Sequence, residues 1–181
     1  TWVKLSEVTV KGAQYNSPEC YPHPECLQGT QVDLLKHING FLDDPEKNQL
    51  IWLHGMAGIG KSAVVFTVAE RMRGLKVIEE MNVEKRLAGT FFFLCKKIEC
   101  HTAGYFFAML VYQLATNFPS IQKDVNRVIC DDPALLDPST PLCDQMGAFF
   151  LKPLWWLQIR LHRCPPLLFV VDALDECTSG T

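Results

Sequence analysis

Apolar residues recur along this chain in two rhythms. Val32, Leu35, Ile38 and Leu42 fall every three or four positions, which predicts a helix over about 30–42, with Thr30 as its cap and Asp43-Asp44-Pro45 as its stop. The same rhythm runs from Lys61 to about Arg73 through Ala63, Val64, Val68, Ala69 and Met72, and Gly74 closes it. Further helices are predicted over about 103–117, 119–130 and 141–151, with Pro153 breaking the last. Between them lie short unbroken apolar runs: Leu50–Leu53, Gly89–Leu94 with its three adjacent phenylalanines, and Leu167–Val171 behind Pro165-Pro166. Such runs suit strands covered on both faces. Strands separated by helices predict an α/β fold with a mainly parallel sheet. Residues 1–27, with Ser17-Pro18, Pro22 and Pro24 among polar neighbours, predict an irregular leader, leaving 28–181 for the domain itself.

Two of the three strands run into candidate chemistry. Leu50–Leu53 leads to Gly55-Met56-Ala57-Gly58-Ile59-Gly60-Lys61-Ser62, with Ala63 next, which meets the phosphate-loop pattern G-x-x-x-x-G-K-S/T in full. Glycines let the backbone turn so that successive amides face a phosphate, and the helix that follows adds the partial positive charge of its N-terminus. Lys61 supplies a mobile full charge for the β- and γ-phosphates, and the Ser62 hydroxyl is a Mg²⁺ ligand. Leu167–Val171 ends in Asp172-Ala173-Leu174-Asp175-Glu176. Carboxylates at a strand's C-terminal end lie where open α/β sheets bind ligands, so Asp172 is the candidate for holding Mg²⁺, through water. Asp175 or Glu176 is the candidate for orienting or deprotonating an attacking water.

Composition narrows the alternatives. The 181 residues are 48% hydrophobic and 20% charged, with a net charge of −3, as in a globular protein with a real core. Lys and Arg are scattered, so nothing marks a nucleic-acid surface. No run is long enough to span a membrane, and no secretory signal opens the chain. Eight cysteines show no C-x-x-C pair, and they are expected as reduced thiols filling the core. Cys100-His101 and His162-x-Cys164 lack the regular second half of a metal site. Trp155-Trp156, Phe149-Phe150 and Tyr112–Ala115 are expected in packing, and His54 as a core or edge histidine.

The motifs in sequence resemble a family. An apolar strand enters GMAGIGKS, then come LAGTFFFLCKK, YQLA, Lys152-Pro153-Leu154 and finally LLFVVDALDEC. This order is similar to the fungal NACHT NTPase domains and to the nephrocystin-type N-terminal grouping, within the STAND signal-transduction ATPases, over about residues 20–178. The resemblance implies a three-layer P-loop NTPase fold, of which 28–181 is the N-terminal part. It implies binding of ATP or GTP with Mg²⁺ as a signalling switch with slow hydrolysis. It also implies a cytoplasmic setting in fungal self/non-self recognition or regulated cell death, and a homo-oligomer or an effector-domain protein as partner. Departures are Gln28 and Gln31, where the family's lead-in carries proline and arginine, and Leu94-Cys95, where it carries serine and arginine. The family continues into a sensor strand, a winged-helix section and repeats. The sheet is therefore expected to be incomplete, with a gap between the phosphate-loop strand and the acidic strand. Two other readings stand beside the switch: a nucleotide-binding scaffold or inactive gene fragment without turnover, and a small-molecule phosphotransferase.

Overall fold

The computed structural model describes residues 2–9, 11–18, 25–44, 50–74, 76–79, 82–85, 87–93, 103–160 and 167–177. Helices dominate: α1 (Trp2–Glu7), α2 (Val32–Leu42), α3 (Lys61–Gly74), α4 (Phe106–Asn117), α5 (Gln122–Asp131), α6 (Leu142–Gln145) and α7 (Lys152–Arg160). Strands β1 (Lys76–Glu79) and β2 (Asn82–Lys85) form an antiparallel hairpin that the apolar pattern did not announce. Strands β3 (Leu87–Phe92) and β4 (Leu168–Asp172) pair in parallel, with Thr90 opposite Val170 and Phe92 opposite Asp172. This mixture, with its parallel pair, is compatible with the α/β class.

Burial on both faces explains the composition of the parallel pair. Side chains alternate across a strand, so Leu168, Val170 and Phe92 face Val64, Val68 and Met72 of α3, and the register shift between Leu87 and Gly89 brings Leu87 to the same cluster. Phe91, Phe93, Phe169 and Val171 point the other way, onto Met109 and Leu110 of α4. All six residues of β3 are buried, as its three adjacent aromatics predict. Gly89 lets α4 come close, because a Cβ there would stand 3.3 Å from a methyl of Leu110.

The outer edge of β3 is closed by amide side chains from α4. The Gln113 side chain donates to the Thr90 carbonyl at 2.7 Å and accepts from the Thr90 amide at 3.0 Å, as a neighbouring strand would. Asn117 donates to the carbonyls of Leu87 and Ala88 at 3.3 and 3.2 Å. Buried backbone groups need partners, and side chains supply them here in place of a further strand. Gln113 falls in the Tyr112–Ala115 stretch expected to serve packing. Leu114 and Ala115 do so, but Gln113 is a buried polar clamp.

Several expectations give way. The leader is not irregular throughout, because α1 buries Leu5 against α4, and Ala13 and Tyr15 join the clusters around β3. Leu50–Leu53 belongs to no strand among the described residues. Leu50 is 82% and Trp52 66% exposed, and among the described residues the segment has no ladder partner. Thr30 does not cap α2. Its hydroxyl turns back to the Leu27 carbonyl at 2.6 Å, and Gln31 occupies the cap position with φ 55°. Pro153 does not break the chain. A π-helical stretch over Met146–Leu151 runs without a break into α7, which begins at Lys152 and carries the proline. Trp155 is 61% exposed, whereas Phe149 is fully buried. Of the cysteines among the described residues, Cys130 and Cys143 are exposed rather than core-filling, and Cys26 and Cys177 are half-buried. The Cys100-His101 and His162-x-Cys164 pairs lie outside the described residues.

Replacing Gln113 with Leu keeps the volume but strips the Thr90 amide and carbonyl of their partners. Each buried group left unpaired costs about 1–3 kcal/mol. Urea unfolding of Gln113→Leu is expected to show a lower midpoint at an unchanged slope.

Candidate functional site

The glycine-rich loop stands at the N-terminus of α3, open to solvent from Gly55 to Gly60. Gly58 and Gly60 have φ of 80° and 89°, a conformation that side-chain-bearing residues rarely adopt. Conformation rather than space excludes other residues there, since a Cβ at either would meet nothing within 4 Å. The first helical bond runs from the Val64 amide to the Gly60 carbonyl at 3.1 Å. The amides of Lys61, Ser62 and Ala63 therefore precede the ladder, where helix geometry provides no partner and the helix dipole is positive. Lys61 curls back over the loop and donates to the carbonyls of Gly55 and Met56, both at 2.9 Å.

The acidic strand end meets this loop from the sheet. Asp172 closes β4 and is buried, at 5% exposure. Its backbone carbonyl accepts from the Phe93 amide at 3.1 Å, which holds the two strand tips together. The Ser62 hydroxyl and the Ala173 amide lie close enough to its carboxylate to favour the charged form. The oxygen Oδ2 is buried without a hydrogen-bond partner. Burial pushes the Asp172 carboxyl above its ordinary range; the Ser62 and Ala173 donors oppose that, and the nearby charges of Asp175 and Glu176 add to it. Two halves far apart in sequence are thus in contact through Ser62 and Asp172.

Whether a divalent cation suits these residues can be judged from the donors. Magnesium takes hard oxygen ligands and keeps most of its shell from water and phosphate, needing one or two groups from the protein. A serine hydroxyl beside a buried carboxylate oxygen without a partner fits that demand. Among the described residues no group of three or more His, Cys, Asp or Glu side chains gathers to hold a metal by itself, so an all-protein cage is not what the site offers.

Asp175 and Glu176 lie on a 3₁₀ turn, Leu174–Glu176, and both are exposed. The structure brings them close enough to Asp172 to act on its charge. His54 is exposed, not a core residue. One feature escaped the sequence reading. Ala173 sits in the left-handed region with φ 56° and ψ 41°, which costs a residue with a Cβ roughly 1–2 kcal/mol. Alanine gives no sequence signal for such a conformation.

A glycine-rich loop at a helix N-terminus thus stands near a strand-end carboxylate beside a parallel pair, on a framework compatible with the α/β class. Residues 29–181 match the family model described as Nephrocystin 3, N-terminal, and the chain belongs to that family. Comparison with curated proteins and with solved structures gave no match for either.

The raised Asp172 carboxyl carries a stability consequence in metal-free buffer. A folded-state value above the unfolded one favours the folded protein below the ordinary 3.8, and that advantage is lost as pH rises through the raised value. Asp172→Asn is therefore expected to raise the thermal midpoint at neutral pH, with the difference shrinking as the pH falls toward the ordinary carboxylate range. Melting curves across that range check it.

Proposed function

We propose that the chain binds a nucleoside triphosphate, ATP or GTP, together with Mg²⁺, as the nucleotide-binding part of a NACHT-type P-loop switch. The observation that carries this reading is the contact of Ser62 with Asp172. It supports the reading because it joins the start of the helix after the glycine-rich loop to the acidic strand end. In this reading the amides of the Gly55–Ala63 stretch wrap the phosphates, and Lys61 gives up its two loop carbonyls for the β- and γ-phosphate oxygens. Ser62 and Asp172 hold the cation, which when bound neutralises charge on the phosphates and polarises them.

Turnover is the second step of the reading. Glu176 or Asp175, exposed beside the site, orients a water toward the γ-phosphorus and takes its proton as the new P–O bond forms and the bond to the β-phosphate oxygen breaks. Membership of the nephrocystin-type family and the resemblance to fungal NACHT domains support a signalling role. Self/non-self recognition or regulated cell death in the cytoplasm is the setting they favour, with a homo-oligomer or an effector-domain protein as partner. Among the described residues no helix is long and apolar enough to cross a membrane. A nucleotide-binding scaffold without turnover is the second reading, favoured by the exposure of both Asp175 and Glu176, which leaves the attacking water unshielded.

Lys61→Ala removes the one full positive charge on the loop and is expected to abolish triphosphate binding in a fluorescent-nucleotide titration, while the fold persists. Wild-type affinity in that variant would refute the central claim. For turnover, Glu176→Gln is expected to lower phosphate release by roughly 10²-fold or more without weakening binding. Equal basal rates in the variant and the wild type would leave the scaffold reading.

A further inference from the structure

Gly55 differs from the other two glycines of the phosphate loop in having a neighbour. A Cβ built at Gly55 would stand 2.5 Å from the Cδ1 methyl of Ile59, whereas one at Gly58 or Gly60 would meet nothing within 4 Å. The Ile59 side chain therefore lies against the bare α-carbon of Gly55, four residues back across the turn. Ile59 is still 48% exposed and belongs to none of the buried clusters, so the core does not draw it there. Among the described residues no backbone hydrogen bond closes the Gly55–Ile59 stretch on itself. Two contacts join the start of the loop to its end: the Lys61 ammonium on the carbonyls of Gly55 and Met56, and the Ile59 methyl on Gly55. They are not equivalent. A phosphate competes for the ammonium, and a charged oxygen is a stronger acceptor than a carbonyl. The methyl has no polar partner to exchange, so its contact outlasts the departure of Lys61.

We propose that Ile59 is a positioning residue for the triphosphate: its δ-methyl, packed on Gly55, braces the loop in its phosphate-binding curvature when Lys61 releases the loop carbonyls. This role rests on the reading of Gly55–Ala63 as a phosphate site and adds the side chain that keeps the two ends of the loop together. It also gives Gly55 a second task, to leave the methyl room. A brace acts through the fraction of time the loop holds the shape that binds, so it serves any polyphosphate and needs no contact with base or sugar.

The test is the affinity of the full chain for a fluorescent ATP analogue with Mg²⁺, and for inorganic tripolyphosphate competing against it, alongside thermal melting of each variant. Ile59→Val keeps the branch at Cβ and loses Cδ1 alone, whereas Ile59→Leu gives up the branch and keeps a methyl at the δ position. Ile59→Val is expected to bind both ligands about threefold or more weakly, Ile59→Ala more weakly still, and Ile59→Leu within about twofold of wild type. Thermal midpoints are expected to stay within about 2 °C, because the side chain is half exposed and outside the core. The proposal is overturned if Ile59→Val and Ile59→Ala keep wild-type affinity, or if Ile59→Leu loses as much as Ile59→Val. It is also overturned if the loss appears for the ATP analogue but not for tripolyphosphate, which would make Ile59 a contact to base or sugar. Losses that follow the thermal midpoints instead of the δ-methyl overturn it as well. A wild-type chain that binds neither ligand refutes the phosphate-site reading itself, and the proposal with it.

Discussion

The parallel register of β3 against β4 is the constraint on which the rest of the structure depends. Pairing Phe92 with Asp172 sets the acidic residue at the level where the aromatic strand ends. The bond from the Phe93 amide to the Asp172 carbonyl then fixes the strand tip. In a parallel pair a slip by one residue would turn every side chain to the opposite face. Phe169 and Val171 would face α3, and Val170 would face α4. Asp172 would point into the aromatic cluster and away from Ser62. Burial of the apolar residues on both faces and placement of the carboxylate are therefore one decision.

Buried polar groups divide by purpose. Along β3, Gln113 and Asn117 satisfy backbone groups that would otherwise be stranded, and the amide of Gln145 donates to the carbonyls of Gly104, Leu135 and Asp137 beneath the 133–140 connection. These bonds hold elements together, and each closes a carbonyl or amide. At the tip of β4, Asp172 keeps one buried oxygen without a partner, as Gln145 does at its Oε1, and has two further carboxylates nearby. Burial and the two nearby carboxylates disfavour the charged form of Asp172. Lys61 rests on the carbonyls of Gly55 and Met56 in its own loop.

Local sequence rules were sufficient where a single element decides its own conformation. The glycine spacing of the loop, the amphipathic run of α3 and the aromatic strand were all legible, because helix period, positive φ and two-sided burial leave marks at fixed spacings. They failed where partners decide. Leu50–Leu53 reads as a buried strand by composition, yet composition cannot provide the neighbour that a strand needs. Pro153 reads as a breaker, yet the π-helical stretch before it runs on into the helix that carries it. Gln113 reads as a helix filler, yet it serves as the surrogate edge of a sheet.

For the site the division is similar. By itself the sequence determined which residues are the candidates for chemistry: glycines that permit the turn, Lys61 and Ser62 at the helix start, and carboxylates at the end of an apolar strand. Covalent spacing of a few residues is enough to specify each of those groups. Only the tertiary structure decided that Ser62 touches Asp172, that Asp172 is buried while Asp175 and Glu176 stay exposed, and that Ala173 is held left-handed between them. Those facts depend on how β4 is seated between α3 and α4, a long-range packing outcome that no local spacing encodes.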